Sequence, residues 1–252
     1  MATKTQNLIK YLDDLLKPEK FHDYCPNGLQ VEGRDEIKKI ITGVTACQKL
    51  LDQAVIEHAD AVLVHHGFFW REEDPRIIGI KKRRIATLIN KDINLITYHL
   101  PLDAHPVYGN NAQLAQKLGL KVELARDRDV TDIIFVGNLA ELIPADDFVA
   151  HVSKVLQRKP LHIAGSGKML KKIAICSGGA QDYFQKALKL DVDAFLTGEI
   201  SEHVVHLARE MGVDYIAAGH HATEKFGIQA LGEHVAEKFG LEYKFIDIEN
   251  PV

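Results

Sequence analysis

The stretch Ala61-Val62-Leu63-Val64-His65-His66-Gly67 decides the fold, because it is a short apolar strand that ends in two histidines and a glycine. An apolar run of this length, rich in β-branched residues, is typical of a strand buried on both faces of a parallel sheet. Segments with helical periodicity lie on either side of it, at 47–57 and 78–89. Strands that alternate with helices favour parallel pairing, so we predict an α/β fold.

The same alternation continues in both directions along the chain. A helix is predicted before Pro18, where the missing backbone N–H ends the helical pattern. The other predicted strands are 37–44, 95–98, 173–176, 194–197, 215–218 and 243–248. The other predicted helices are 112–118, 183–190, 204–211 and 228–239. The region 123–167 is less regular, with candidate strands at 133–136 and 161–164.

The two halves of the chain resemble each other. Two pairs of segments align without gaps, 38–66 on 171–199 and 94–120 on 215–241. The second pair aligns His99 with His220 and Asp103 with Glu224. Two βαβ units can converge on similar composition, but collinear blocks that both align ionisable residues favour a duplication. We therefore predict two similar α/β lobes, 1–125 and 126–252, with the last strand able to cross to the first lobe.

Composition excludes several classes of protein. The chain has 252 residues, of which 46% are apolar and 26% charged, as in an ordinary soluble globular protein. The net charge of 31 − 35 = −4 does not indicate nucleic-acid binding, which rests on Lys and Arg neutralising phosphates. No signal peptide or membrane-spanning run is apparent. Three scattered cysteines, Cys25, Cys47 and Cys176, do not form a disulfide framework, so we predict a reducing, cytoplasmic location.

Thirteen histidines direct attention to metal binding. Histidines and acids cluster after three predicted strands, where ligands bind in open α/β sheets: His65 and His66, His99 and Asp103, and His220 and Glu224. A lone histidine at a strand end is more often simply hydrogen-bonded, and the two acids could favour helix starts. Together, however, imidazole and carboxylate are the ligands of zinc, iron, manganese or cobalt. We predict a dinuclear centre at the interface of the two lobes.

The positions of these donors indicate how they divide between ions. Adjacent strand residues point to opposite faces, so His65 and His66 are predicted to serve two different ions. His220 and Glu224 are four residues apart at a predicted helix start and share one face.

Five motifs together resemble the signatures of the YbgI-like family, whose members are known as GTP cyclohydrolase 1 type 2 homologues. The motifs span Tyr24–Gly33, Val64–Gly67, His99–His105, Asp193–Glu199 and Gly219–Glu224. The resemblance runs over nearly the whole chain, in order and with matching spacing. It implies two similar α/β domains per subunit and a ring-shaped hexamer of stacked trimers, with dinuclear metal sites facing the cavity.

The resemblance also implies a ligand set. Carried over by motif, His65 and Asp103 hold one ion, His66 and His220 hold the other, and Glu224 bridges both. Every one of these positions matches the family pattern. The chain has about 50 residues between its halves, so it resembles the short form of the family, without an extra domain.

Three further residues are assigned roles near this centre. His99 has a ligand-like position outside the five ligands, so we predict that it is a catalytic proton shuttle or a residue that orients the ligands. Glu199 and His203 follow the matching strand of the second half and are predicted to orient the ligands, although an ordinary solvated pair is equally open.

The residues favour metal-assisted hydrolysis, because two close metal ions can activate a water and polarise a substrate oxygen. The family resemblance implies that the substrate is a nucleotide or a related small molecule. Two alternatives stay open: a dinuclear phosphoesterase, and a non-enzymatic ring-shaped scaffold that binds metal and acts through partners. The basic run Lys81-Lys82-Arg83-Arg84 is either a solvated helix face or a patch that steers phosphates. Gly165-Ser166-Gly167-Lys168 has the wrong glycine spacing for a phosphate loop and is interpreted as a turn.

Overall fold

The computed structural model describes residues 2–122, 129–167 and 169–252. Its strands are β1 (Thr3–Lys4), β2 (Gly28–Val31), β3 (Glu36–Ile37), β4 (Lys39–Thr45), β5 (Ala61–His66), β6 (Asn94–Thr97), β7 (Lys121–Val122), β8 (Phe135–Ile143), β9 (Leu161–Ile163), β10 (Leu170–Ile175), β11 (Ala194–Thr197), β12 (Asp214–Ala217) and β13 (Glu242–Phe245). Its α-helices are α1 (Thr5–Leu16), α2 (Gln48–Ile56), α3 (Gly79–Lys91), α4 (Leu100–Ala104), α5 (Asn110–Lys117), α6 (Ala145–Leu156), α7 (Phe184–Leu188), α8 (Glu202–Met211), α9 (His220–Thr223) and α10 (Lys225–Phe239). The predicted lobe boundary between residues 125 and 126, and Lys168 of the glycine-rich turn, lie outside the described residues.

The chain divides into two compact units, and each unit is made of two segments. Unit 1 is Met1–Leu102 with Ile228–Glu249, and unit 2 is Asp103–Gly227 with Asn250–Val252. The chain therefore leaves unit 1 within α4 and re-enters it within α10. The predicted lobes follow chain order and place Asp103 in the first half, whereas the compact division assigns it to unit 2.

Unit 1 contains a five-stranded sheet in the order β13-β4-β5-β6-β2. The first four strands are parallel, and β2 runs antiparallel to β6 at the edge. All of β5 except its last residue is buried, as expected of a central parallel strand. Because β4, β5 and β6 are parallel, the loops that leave β5 and β6 emerge at the same edge of the sheet.

Helices cover the unit 1 sheet through apolar side chains. One core cluster joins α2 and α3 to the sheet, and it includes Leu50, Leu51, Ile85 and Leu88 on the helices and Ile41, Val62, Val64 and Leu95 on the strands. Helices α1 and α10 pack together through Tyr11. Its ring meets Phe239 edge-on at a centroid distance of 5.4 Å, and its hydroxyl lies 2.6 Å from His234 Nε2.

Unit 2 contains a six-stranded sheet in the order β7-β8-β10-β11-β12-β9. Its central strands β10, β11 and β12 are parallel, and the flanking strands β8 and β9 are antiparallel to them. One face packs on α5 and α6 through residues that include Leu114, Phe148, Val152, Ile173, Leu196 and Ile216. The other face packs on α7 and α8 through residues that include Phe184, Ala208, Ala174, Phe195 and Tyr215.

The α/β fold class is confirmed, but the sheets are mixed rather than wholly parallel. Edge strands are short and half-exposed, so their hydrophobic pattern is weak and did not reveal β2. Helix α6 was also missed, within the region that the pattern left irregular. Among the described residues, no helix is long and apolar enough to cross a lipid bilayer.

The two sheets share a pair of aspartate-to-backbone hydrogen bonds, which favours the predicted duplication. In unit 1, Asp60 Oδ2 accepts hydrogen bonds from the backbone N–H groups of residues 38–39, at 2.7 and 2.9 Å. In unit 2, Asp193 Oδ2 accepts the same two bonds from residues 171–172, both at 2.8 Å. These residues are equivalent in the first aligned block. A common origin for the two lobes stays a prediction.

Sheet register refines the second aligned block. Asn94 is opposite Ala61 in unit 1, and Asp214 is opposite Ala194 in unit 2. The strands therefore align Asn94 with Asp214, one residue away from Tyr215, with which the ungapped sequence alignment pairs it. A single-residue shift reverses the face on which each side chain lies, so this difference matters for any comparison of the two lobes.

Candidate metal centre

Unit 1 brings three histidines together at the carboxyl ends of its parallel strands. His65 and His66 are the last two residues of β5, and His99 follows β6. One ring nitrogen from each lies within 4.8 Å of the others, as expected of side chains that share an ion or a pair of ions. Each unit 1 donor that was predicted from the sequence is therefore part of one cluster.

The side chains of His65 and His66 were predicted to point to opposite faces of the sheet, but in the structure their rings lie side by side. Their ring centroids are only 4.5 Å apart, and the planes are inclined by 44°. His65 is fully buried and His66 is half-buried. His66 ends the strand, where the alternation of side chains between faces no longer constrains its direction.

Each of these rings has its Nδ1 engaged by the protein. His65 Nδ1 donates to the backbone carbonyl of Tyr98 at 3.1 Å, and His66 Nδ1 is hydrogen-bonded to Thr45 Oγ1 at 3.1 Å. Because a carbonyl can only accept, the neutral His65 ring carries its proton on Nδ1. That tautomer leaves Nε2 as the nitrogen that could bind a metal ion, as in many metal-binding histidines.

His99 is held by residues that precede the edge strand β2. Its Nδ1 lies 2.6 Å from Asp23 Oδ1, and its backbone N–H donates to Asn27 Oδ1 at 2.8 Å. Burial opposes ionisation of Asp23, but hydrogen bonds from His99, Asn27 and the Tyr24 backbone outweigh it and hold the pKa of Asp23 below its ordinary value. Sequence reasoning missed Asp23, although it immediately precedes the first family-like motif.

Unit 2 supplies two buried carboxylates and one histidine. Asp103 lies in α4, His220 begins α9, and Glu224 follows α9 directly. Asp103 and Glu224 are each less than a tenth exposed, and one oxygen of each lies within 4.8 Å of the other. His220 Nε2 is 3.2 Å from Glu224 Oε2, so these two side chains, which were predicted to share one face, lie close together.

Neutral donors orient the Asp103 carboxylate. Asn110 Nδ2 donates to its Oδ1 at 2.8 Å, and Ser177 Oγ donates to the same oxygen at 3.3 Å. Asn111 Nδ2 binds the Asp103 backbone carbonyl at 3.2 Å, and its Oδ1 accepts from Ser177 N at 2.7 Å. These partners fix the carboxylate without supplying a positive charge.

His220 is hydrogen-bonded to Glu199, whose predicted role in orienting a metal ligand stays a prediction. Its Nδ1 lies 2.6 Å from Glu199 Oε1. Burial lowers the pKa of His220, but the carboxylates of Glu224 and then Glu199 outweigh it and raise the pKa to about 9. The two carboxylates therefore favour the protonated form of this ring. His203 lies exposed in α8, and its predicted role stays a prediction.

Two buried cysteines lie near these clusters, and Cys25 Sγ lies within 4.8 Å of a donor atom of Asp23 and of His99. Burial, followed by the charge of Asp23, raises the pKa of the Cys25 thiol to about 12. Burial, followed by the charges of Asp103 and Glu224, raises the pKa of Cys176 well above its ordinary value. Burial therefore favours the protonated form of both thiols near neutral pH.

The basic run at residues 81–84 lies on α3. Lys81 Nζ is 3.6 Å from Glu73 Oε2 and 5.0 Å from the centre of the Phe69 ring. Lys82 and Arg83 are exposed, which favours the solvated-face interpretation for that part of the run.

Gly178 leaves the room that Glu224 needs. A Cβ at this position would lie 2.2 Å from Glu224 Oε1 and 3.1 Å from His220 Nε2. We expect Gly178→Ala to displace Glu224 and to lower metal affinity at least about tenfold. Losses of this size are typical when residues around a bound metal are altered. Metal content after dialysis against a buffered metal series measures this effect.

Gly119→Ala is the matched control. Gly119 has φ +70° against +69° for Gly178, but nothing lies within 4 Å of its Cβ position. Both substitutions introduce the same backbone strain, but only Gly178→Ala places a methyl group against a predicted ligand. Equal metal content in the two variants would contradict the role given to Glu224.

The chemistry of the donor set fits divalent metal ions. Two carboxylates this close and this buried repel each other unless a cation or a proton lies between them. Histidine and carboxylate together select zinc, iron, manganese or cobalt rather than the hard ions that oxygen ligands alone favour. The fold and the donors define an α/β protein with histidine–carboxylate groups that could bind metal.

Comparison with known proteins places the chain. The family profile Duf34/NIF3 (NGG1p interacting factor 3) matches residues 3–251. The chain is 50% identical over 252 residues to a GTP cyclohydrolase 1 type 2 homolog of Pseudomonas aeruginosa, covering 100% of both proteins. It is 47% identical over 249 residues to the protein of the same name in Escherichia coli K12, covering 98% of this chain and 99% of that one. The chain therefore belongs to the DUF34/NIF3 family.

Solved structures agree with this assignment. A structure described as protein ybgI, of unknown function, is 46% identical and superimposes with a TM-score of 0.94, covering 99% of this chain and 100% of the other. The crystal structure of TTHA1606 from Thermus thermophilus is 35% identical, with a TM-score of 0.88 and the same coverage. The resemblance predicted from the five motifs is confirmed.

Proposed function

We propose that this protein is a dinuclear metal-dependent hydrolase that acts on a nucleotide or related small molecule. The proposed ligands are His65 and Asp103 for one ion, His66 and His220 for the other, and Glu224 as the bridge. Bound divalent ions would supply an activated water and polarise a substrate oxygen. The name shared by the relatives, GTP cyclohydrolase 1 type 2 homolog, supports a purine nucleotide as the first substrate to test.

One observation supports the proposal most strongly: hydrogen bonds within the chain orient the rings of the proposed histidine ligands. The Nδ1 atoms of His65, His66 and His220 are each engaged by a separate partner, within the histidine's own unit. Burial of the Asp103 and Glu224 carboxylates side by side is costly, and a cation compensates that cost.

The chain's other polar residues have distinct roles in this proposal. Glu199 fixes the His220 ring, and Asn110 fixes the Asp103 carboxylate. His99, oriented by Asp23, is the proposed proton shuttle. The proposal further includes a ring-shaped hexamer of stacked trimers, which comes from the family resemblance, and a cytoplasmic location, which comes from the scattered free cysteines.

Metal analysis is the first test. Protein purified without an affinity tag is expected to contain about two divalent ions per subunit, the stoichiometry of a two-metal centre. Elemental analysis identifies them, and light scattering measures the oligomer. Absence of metal after growth in metal-replete medium would contradict the proposal.

A nucleotide panel then separates the candidate reactions. Metal-loaded protein is incubated with purine and pyrimidine nucleotides, and formate and phosphate are measured separately. Formate release supports purine-ring hydrolysis, whereas phosphate release alone supports the phosphoesterase. Silence in both measurements, with a partner recovered by pull-down, would favour the non-enzymatic scaffold.

A further inference from the structure

We propose that Arg158 binds an oxyanion of the substrate, such as a phosphate group, beside His220. This inference rests on the proposed function and deepens it, because it assigns a residue to the acidic part of the substrate.

The sheet register places Arg158 at the edge where the unit 2 donors lie. Strand β9 is antiparallel to β12, and Leu161 is opposite Ala217, the last residue of β12. Arg158 comes three residues before Leu161, so it extends beyond the carboxyl end of β12. His220 lies beyond that same end, three residues after Ala217.

The guanidinium group of Arg158 packs against Gly219, the residue directly before His220. A Cβ at Gly219 would lie 2.1 Å from Arg158 Nη1 and 2.6 Å from Arg158 Cζ. Gly219 also has φ +100°, a conformation that side-chain-bearing residues rarely adopt. Because Gly219 has no side chain, Arg158 can pack directly against the backbone turn that precedes His220.

The guanidinium has no acidic partner among the residues that the structure describes, although the side chain is only half-exposed. Carboxylates are abundant in unit 2, yet Glu199 and Glu224 engage His220 instead. An arginine that is positioned by packing and not neutralised by an acid is suited to an anionic ligand. Its planar fork of donors binds phosphate or carboxylate through two parallel hydrogen bonds.

Unit 1 uses the corresponding loop in a different way. The segment before its antiparallel edge strand β2 delivers Asp23 and Asn27 to His99. The segment before β9 delivers Arg158 to Gly219. The same topological position therefore carries an acid that orients a histidine in one unit and an unneutralised cation in the other.

Direct binding measurements test this role without relying on turnover. Isothermal titration calorimetry is performed with GMP, inorganic phosphate and citrate, on metal-stripped and on metal-loaded full-length protein. We expect Arg158→Gln to weaken GMP and phosphate binding at least about tenfold in both forms, as loss of a bidentate charged contact does. Arg158→Lys is expected to be intermediate because it keeps the charge but loses the fork.

Lys159→Gln is the matched control, because it removes the same charge from the neighbouring, exposed position. It is expected to leave affinity within about twofold, as screened surface charges do. Unchanged GMP and phosphate binding in Arg158→Gln overturns the proposal, as does failure of the wild type to bind either phosphate probe. Tighter binding of citrate than of GMP would reassign the site to a carboxylate and overturn the phosphate assignment. If the protein binds phosphate through Arg158 but holds no metal and turns over no nucleotide, the proposed function is contradicted while the role of Arg158 stands.

Discussion

Glu224→Gln is expected to lower the metal content of both proposed positions together. Alterations around a metal ligand commonly cost about 10- to 100-fold in affinity, and a bridging ligand is expected to cost at least as much at each ion. Elemental analysis after dialysis against a buffered metal series measures the two occupancies.

The geometry of unit 2 explains why Glu224 should affect both ions. One of its oxygens lies 3.2 Å from His220 Nε2, and an oxygen also lies within 4.8 Å of the Asp103 carboxylate. His220 and Asp103 are proposed ligands of different ions, and Glu224 contacts the surroundings of both. Glutamine has the same shape but is neutral, so it retains packing while removing the charge that two cations would share.

His65→Ala is the comparison variant, because His65 is a proposed ligand of one ion only. We expect it to lose one ion and to spare the other better than Glu224→Gln does. A fully loaded Glu224→Gln protein, with two ions per subunit, would refute the bridging role. Loss of both ions in His65→Ala would mean that the two positions are filled interdependently.

His99→Gln is expected to keep both ions and lose about 10²-fold or more in kcat, the usual scale of general acid–base help. The ring is tied through Nδ1 to Asp23, so its Nε2 is the atom that would exchange a proton with substrate. Turnover of the nucleotide identified by the panel, together with metal content, measures this effect.

The same pair of measurements separates two other roles for His99. Its ring lies among those of His65 and His66, at centroid distances of 5.1 and 5.6 Å, so it is also placed to act as a ligand. Loss of metal in His99→Gln would make it one. Asp23→Asn keeps the packing but weakens the orientation of the ring, and it is expected to give a smaller loss of kcat. An unchanged kcat in His99→Gln would leave the residue a structural role.

The strongest local patterns predicted their elements well. The apolar run that forms β5 was recognised because four β-branched or aliphatic residues in succession bury well only in a central strand. Helix α1 was recognised because Leu8, Leu12 and Leu16 recur at helical spacing. The antiparallel strand β2 was missed, since half of its residues are only partly buried and its pairing partner lies far along the chain.

The candidate donors could be predicted because histidines and acids stand directly after strand patterns in the sequence. Their hydrogen-bond partners could not be, because those partners are remote: Asp23 lies 76 residues from His99, and Ser177 lies 74 residues from Asp103. No local periodicity connects such pairs.

The sequence by itself determined the α/β class and the family, because strand and helix periods and motif spacings are local properties of the chain. The family resemblance in turn implies the five proposed ligands. The tertiary structure decided which residues orient those ligands, that Asp103 belongs to the second compact unit, and that Arg158 packs against Gly219. These relations arise from the pairing of antiparallel edge strands and from the close approach of backbone to side chain. They depend on sheet register in three dimensions, which a one-dimensional pattern does not contain.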